Sequence, residues 1–200
     1  MRITAFMGSA TGHDPAHLQT ATTFGRDLAA AGIALVYGGG RVGLMGAVAD
    51  AVVAGGGETI GVIPQHLADK EIAHPGLTTL EVVESMHVRK QRMAELADAF
   101  VVLPGGAGTL DEFFEIWTWQ QLGLHTKPVF LLDAGGFWQP LVALIDHLVD
   151  AGFVGAHQRA ALRIVDDLDA VRAATSNWLP PAPKWTTGRE PSNGAGLERA

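Results

Sequence analysis

Two hundred residues, 48% of them hydrophobic, can bury the core of one α/β domain and hardly of two, so a single domain is expected. The formal charge of -7, with acidic residues spread along the chain, disfavours a nucleic-acid surface, because polyanion binding needs a concentrated basic face. Cysteine is absent, which removes disulfides, zinc-thiolate sites and thiol nucleophiles and is compatible with the cytoplasm as the default location.

The opening MRITAFMGSATGHD has one arginine and a short apolar run broken by Gly8, too brief for a secretory core, and reads as a first strand from Ile3 to Met7. No stretch approaches a membrane-spanning length. Asp14 and Pro15 start a helix with Leu18, Ala21, Phe24 or Gly25, Leu28 and Ala31 on one face, and Gly32 ends it. A strand from Ile33 to Tyr37 leads through Gly38 to Gly40 into a helix from Val42 to Ala54, apolar nearly all round and expected to be deeply buried.

Further strand-like runs follow at Thr59 to Ile63, Leu80 to Val83, Phe100 to Leu103 and Val129 to Leu132. Between them, Glu84 to Phe100 carries a helical stripe at Met86, Arg89, Lys90, Met93, Leu96, Ala97 and Phe100. A helix after Pro140 reaches Asp150, and a short strand lies near Leu162 to Val165. This alternation predicts an α/β fold over residues 1–179: a Rossmann-like, doubly wound parallel sheet with helices on both faces. Residues 180–200, rich in proline, glycine and polar side chains, read as a loose tail or an arm on a partner subunit.

Ligands of such sheets bind beyond the strands' C-terminal ends, and the glycine loops at Gly8-Ser9, Gly38 to Gly40 and Gly105 to Gly108 all fall there. The richest is VVLPGGAGTLDEFFE, Val101 to Glu115, where a buried strand stops at Pro104-Gly105 and a helix capped by Thr109 runs through Phe113, Ile116 and Trp117. Backbone N–H groups exposed by Gly105, Gly106 and Gly108 at a helix start suit a phosphate. The same residues also form an ordinary capping box, with Glu112 folded back on the Thr109 N–H. Three glycines in four residues exceed what capping needs, and two adjacent carboxylates require one to face something other than phosphate, a ribose hydroxyl being the natural choice.

Arg89 and Lys90, bordering an apolar helix face, either snorkel and pair with an acid such as Glu84 or meet an anion; the anion reading is favoured. GGGRVG, Gly38 to Gly43, matches a dinucleotide fingerprint on the second strand, with no acid where the ribose would need one, so close packing and a pocket wall explain it better. His13 and His17 are read as solvent-facing or lining the site mouth, and Asp14 as a cap. Ser9 lacks a nucleophile elbow but offers its hydroxyl to phosphate or ribose. Trp117 and Trp119 point to different sides of their helix, so one belongs to the core or an interface.

Through PGGAGTLDE, MHVRK and GLMG the chain resembles the LOG ("lonely guy") family, whose signature PGGxGTxxE stands here as Pro104, Gly105, Gly106, Gly108, Thr109 and Glu112. The likeness runs from AFMGSATG through VYGGGRVGLMG to TWQQLGLHTKP, ending at Pro128, and leaves out the tail after about Leu179. It implies a Rossmann-like, usually dimeric hydrolase that cuts the N-glycosidic bond of cytokinin riboside 5'-monophosphates, releasing free base and ribose 5-phosphate, with no cofactor or metal. Arg89 and Glu112 would be catalytic. The loop of Gly105, Gly106, Ala107, Gly108 and Thr109 would hold phosphate, and Leu110, Asp111, Lys90, Glu71 and Thr118 would contact substrate, beside Ser9, Gly40 and Met86. Partners would be a small nucleoside monophosphate and a second copy of the chain, with neither nucleic acid nor membrane. Labels of this family also name lysine decarboxylation, but Lys70, Lys90, Lys127 and Lys184 lie in no recognisable context for a pyridoxal-linked lysine. The alternatives are a non-catalytic nucleotide or molybdenum-cofactor carrier and, less favoured, an NAD-linked oxidoreductase.

Overall fold

Strands covered on both faces need unbroken apolar runs, and Ala99 to Val102 meet that demand with four fully buried residues. In the computed structural model, which describes residues 1–70 and 72–184, seven strands form one parallel sheet, with the inner ones buried in this way and the edge strands β4 and β7 partly exposed. The chain runs β1 (Arg2–Phe6), α1 (Pro15–Ala30), β2 (Ala34–Tyr37), α2 (Gly43–Ala54), β3 (Thr59–Pro64), α3 (Gln65–Ala68) and β4 (Thr79–Val83). It continues with α4 (Met86–Leu96), β5 (Ala99–Val102), α5 (Ala107–Gln121), β6 (Val129–Leu132), α6 (Gln139–Asp150), α7 (Ala156–Ala161), β7 (Leu162–Val165) and α8 (Leu168–Ser176).

The sheet order is β4-β3-β2-β1-β5-β6-β7, so the winding reverses between β1 and β5. Alternate residues of each strand feed two cores, as Ala99 and Val101 of β5 pack with α1, α2 and α8 while Phe100 and Val102 pack with α4, α5 and α6. The expected doubly wound sheet is therefore present, with strand limits within a residue or two of those read from the sequence. Among the described residues, no helix is long and apolar enough to cross a membrane.

Asp14 caps α1 as expected, its carboxylate accepting from the Ala16 N–H at 2.8 Å. Other expectations need correction. Leu18 is exposed and does not belong to the buried face of α1. Helix α2 buries one side only, since Asp50, Val53 and Ala54 are exposed; its close approach to α1 occurs where Gly25 has no side chain to strike the Val48 carbonyl. The stripe ending at Phe100 is two elements: α4 stops at Leu96, Ala97 is extended, and Phe100 is a strand residue. Nor does the chain leave the body at residue 179, because the Trp178 indole donates to the Thr126 carbonyl at 2.6 Å and the Lys184 N–H to that of Gln121 at 2.8 Å. The rest of the expected tail lies outside the described residues.

Candidate active site

Where the winding reverses, the loop after β1 goes to one face and the loop after β5 to the other, which leaves a crevice at the strand ends. Backbone bonds draw three loops together around it: Gly8 N–H to the Pro104 carbonyl (3.0 Å), Leu103 N–H to that of Phe6 (2.9 Å), and Leu44 N–H to that of Gly8 (3.0 Å). Between them lies a cavity of about 260 Å³ lined by Met7, Gly8, Ser9, Met45, Met86, Arg89, Asp111, Glu112 and the first turn of α5, from Gly106 to Thr109.

The helix start here departs from the capping-box reading. Gly106 is the N-cap and Thr109 the third helical residue, with no side-chain cap, so Glu112 is free of Thr109 and turns to the cavity. The TLDE pattern fits a capping box in one dimension, but the helix begins one turn earlier, because the glycines let the backbone fold without a side-chain acceptor. The glycines divide by task. A Cβ on Gly105 would collide with the Thr109 side chain, whereas one on Gly106 or Gly108 would meet nothing within 4 Å. Open space thus stands before the N–H groups of the first turn, which have no intrahelical partner and lie at the positive end of the helix dipole.

Arg89 enters from α4, whose first turn is capped by Ser85 accepting from the Val88 N–H at 3.2 Å. Only 9% exposed, it donates from Nε to the Val62 carbonyl of β3 at 3.1 Å, and its guanidinium lies against Gly38, where any Cβ would strike Nη2. Its Nη1 ends 3.4 Å from Oε1 of Glu112, whose side chain is 12% exposed. Burial pushes the Glu112 carboxyl above its ordinary range; Arg89 and Lys90 pull it down, and Asp111 and Glu115 push it further up. The site therefore holds a buried guanidinium against a carboxyl group with heightened proton affinity, under a helix start able to take an anion.

Lys90 reaches Oε2 of Glu115 at 2.9 Å and Oδ2 of Asp111 at 3.1 Å. Asp111 lines the cavity and turns its Oδ2 to Lys90. Burial alone would lower the Lys90 ammonium, yet its bonds to Glu115 and Asp111 more than offset this and raise it. An imine-forming lysine needs the opposite, an ammonium that deprotonates readily.

The other expected residues scatter. Ser9, Met86, Ala107 and Thr109 line the cavity; Gly40 stands behind Met45; Leu110 packs towards the core. Thr118 is exposed and outside the lining, and Glu71 lies outside the described residues. Trp117 is core and Trp119 half-buried. A neighbouring chamber of about 560 Å³ shares Gly8, Ser9 and Gly106 with the cavity and has His13, His17 and Phe137 in its wall, with His17 edge-on to Phe137 at 5.1 Å. In GGGRVG, Gly38 makes room for Arg89, while Gly43, at φ +58°, lies against the Ser9 backbone, so close approach accounts for the run. Glu115 and Met45 are additional site residues; the only sequence signal for Glu115 is its place four residues after Asp111, on the same helix face.

A family sequence model described as "Possible lysine decarboxylase" matches residues 45–175. The "Cytokinin riboside 5'-monophosphate phosphoribohydrolase" of Rhodococcoides fascians is 46% identical over 173 residues, covering 86% of this chain and 87% of its own length. The Oryza sativa subsp. japonica protein of that name, suffixed LOG, is 46% identical over 158 residues, covering 79% of this chain and 65% of its own length. Among solved structures, the molybdenum cofactor binding protein of Rippkaea orientalis superposes with a TM-score of 0.66 at 21% identity, over 88% of this chain and 96% of that one, a likeness of fold. With this extent of identity to the phosphoribohydrolases, and PGGAGTLDE at the start of α5, the chain belongs to the LOG family.

Proposed function

We propose that the protein hydrolyses the N-glycosidic bond of adenosine 5'-monophosphates, prenylated on the adenine or plain, to free base and ribose 5-phosphate. The observation that carries this reading is the Arg89–Glu112 pair, in contact at 3.4 Å and buried in the wall of a cavity bordered by the open N-terminus of α5. The names of the relatives at 46% identity support the same substrate class.

The phosphate is held by the N–H groups from Gly106 to Thr109, and Ser9 adds its hydroxyl from the loop after β1. Anchoring it orients a bond several ångströms away, so binding remote from the reaction serves the chemistry. As the C1'–N bond breaks, its electron pair leaves with the base and the sugar gains oxocarbenium character, which the Glu112 carboxylate stabilises. A water oxygen closes on C1', and the proton balance is met by transfer from that water to the departing base, with Glu112 placed to exchange it. Arg89, anchored by its Nε bond to the Val62 carbonyl, keeps Glu112 in position.

A carrier role would need neither group, and the likeness to cofactor carriers is one of fold. The same reading extends to the cytoplasm as location and to a homodimer, the latter supported by apolar side chains left at the surface after α5, Leu122 at 41% and Leu124 at 69% exposure. Chromatography of base released from AMP, isopentenyladenosine 5'-monophosphate and the matching nucleoside tests the activity. Cleavage of the monophosphates with poor cleavage of the nucleoside is expected; tight nucleotide retention without any base release would overturn it.

A further inference from the structure

Arg89 and Lys90 are neighbours on α4 and both cross to α5, where they meet different partners. The lysine's two carboxylates, Asp111 and Glu115, lie one residue before and three after Glu112, so the ammonium bridges a helical turn with Glu112 inside the bridge. The Lys90 side chain is 14% exposed and that of Glu115 21%, whereas Asp111, at 64%, is the looser anchor. The ammonium donates a hydrogen bond to Asp111 at 3.1 Å and forms an ion pair with Glu115 at 2.9 Å, so it is engaged by the protein's own acids. No other ion pair joins α4 to α5 near the cavity among the described residues, apart from Arg89 with Glu112 itself.

We propose that Glu115 is a positioning residue: by holding Lys90 against α5 it sets the separation of α4 and α5 at which Arg89 faces Glu112. This rests on the hydrolase reading, since Glu112 is the group being positioned. It also gives Lys90 a structural partner in place of substrate phosphate.

Position and charge give separate readouts. The charged groups around Glu112 are Arg89 and Lys90 from α4 and Asp111 and Glu115 from α5; the remaining cavity wall, Met7 to Ser9 and Met45, contributes none. Removing the Glu115 charge favours the Glu112 carboxylate, and removing the Lys90 charge disfavours it.

The test is steady-state kinetics of the full chain with Glu115→Gln, Lys90→Met and Lys90→Arg, on isopentenyladenosine 5'-monophosphate and its nucleoside, across pH. Glu115→Gln and Lys90→Met should each lower kcat by between about ten- and a hundredfold on both substrates, with KM for the monophosphate within about twofold. The acid limb of kcat/KM should move to lower pH in Glu115→Gln and to higher pH in Lys90→Met, and Lys90→Arg should restore most of the rate. A Lys90→Met variant that raises KM for the monophosphate alone would make the lysine a phosphate ligand and overturn the proposal. So would wild-type kinetics in Glu115→Gln, or lowered thermal stability with neither limb displaced. A wild-type protein that releases no base would instead remove the hydrolase reading, and the positioning role with it.

Discussion

The two glycine-rich loops, Gly38 to Gly43 and Gly105 to Gly108, look alike in sequence and do opposite things. In the first, absent side chains are replaced by protein: Gly38 by the Arg89 guanidinium and Gly43 by the Ser9 backbone. In the second, Gly106 and Gly108 face empty space at a helix start, and Gly105 alone is packed. A glycine's meaning thus lies in what a Cβ would meet, and only the second loop leaves room for a ligand. The first shapes the site at one remove, by letting Arg89 lie flat under the strand ends.

Substitutions that add one methyl group separate the two cases. Gly38→Ala should have the largest effect, because the new Cβ takes the place of the guanidinium; kcat/KM for the monophosphate should fall by about a hundredfold or more while circular dichroism stays that of a folded protein. Gly106→Ala should leave thermal stability within about 0.5 kcal/mol. It should raise KM for the monophosphate by about tenfold, with the nucleoside little affected, since the methyl group stands between the phosphate and the first N–H groups. Gly25→Ala, remote from the cavity but tight against the Val48 carbonyl, should do the reverse, lowering stability by about 2 kcal/mol while kinetic constants persist.

The smallest effect concerns Glu112 and pH. Its folded-state proton affinity is raised, so the stability it contributes is present at low pH and is lost as pH rises and the buried carboxylate is forced to ionise. Glu112→Gln, which stays neutral, should therefore gain on the wild type by a few degrees in melting temperature between acid and neutral pH. A stability difference that does not change with pH would mean that Glu112 titrates as if in water.

Legibility followed the range of the interactions. Strands such as Ala99–Val102 and Val129–Leu132 were readable because both faces must be apolar, and the α1 start because Asp14 and Pro15 carry their own local chemistry. Arg89 and Glu112 stood out through composition and through the family resemblance. Their geometry did not, since it depends on Val62 and Gly38, which lie 27 and 51 positions before Arg89 in the chain. The helix start at Gly106 is hidden in the sequence because TLDE satisfies a capping box, and nothing local reveals that Glu112 has its partner on α4. The spacing of Glu115 from Asp111 puts both on one helix face, but its role is hidden for a similar reason: its partner Lys90 sits on another helix.

The most direct trial of the central claim is a side-by-side measurement of free base released from isopentenyladenosine 5'-monophosphate by the wild type and by Glu112→Gln, with nucleotide binding of both followed by calorimetry. The geometry calls for base from the wild type, none above background from the variant, and comparable nucleotide affinity in the two. A Glu112→Gln protein that still turns over at the wild-type rate would contradict the assignment of the buried pair as the seat of the chemistry.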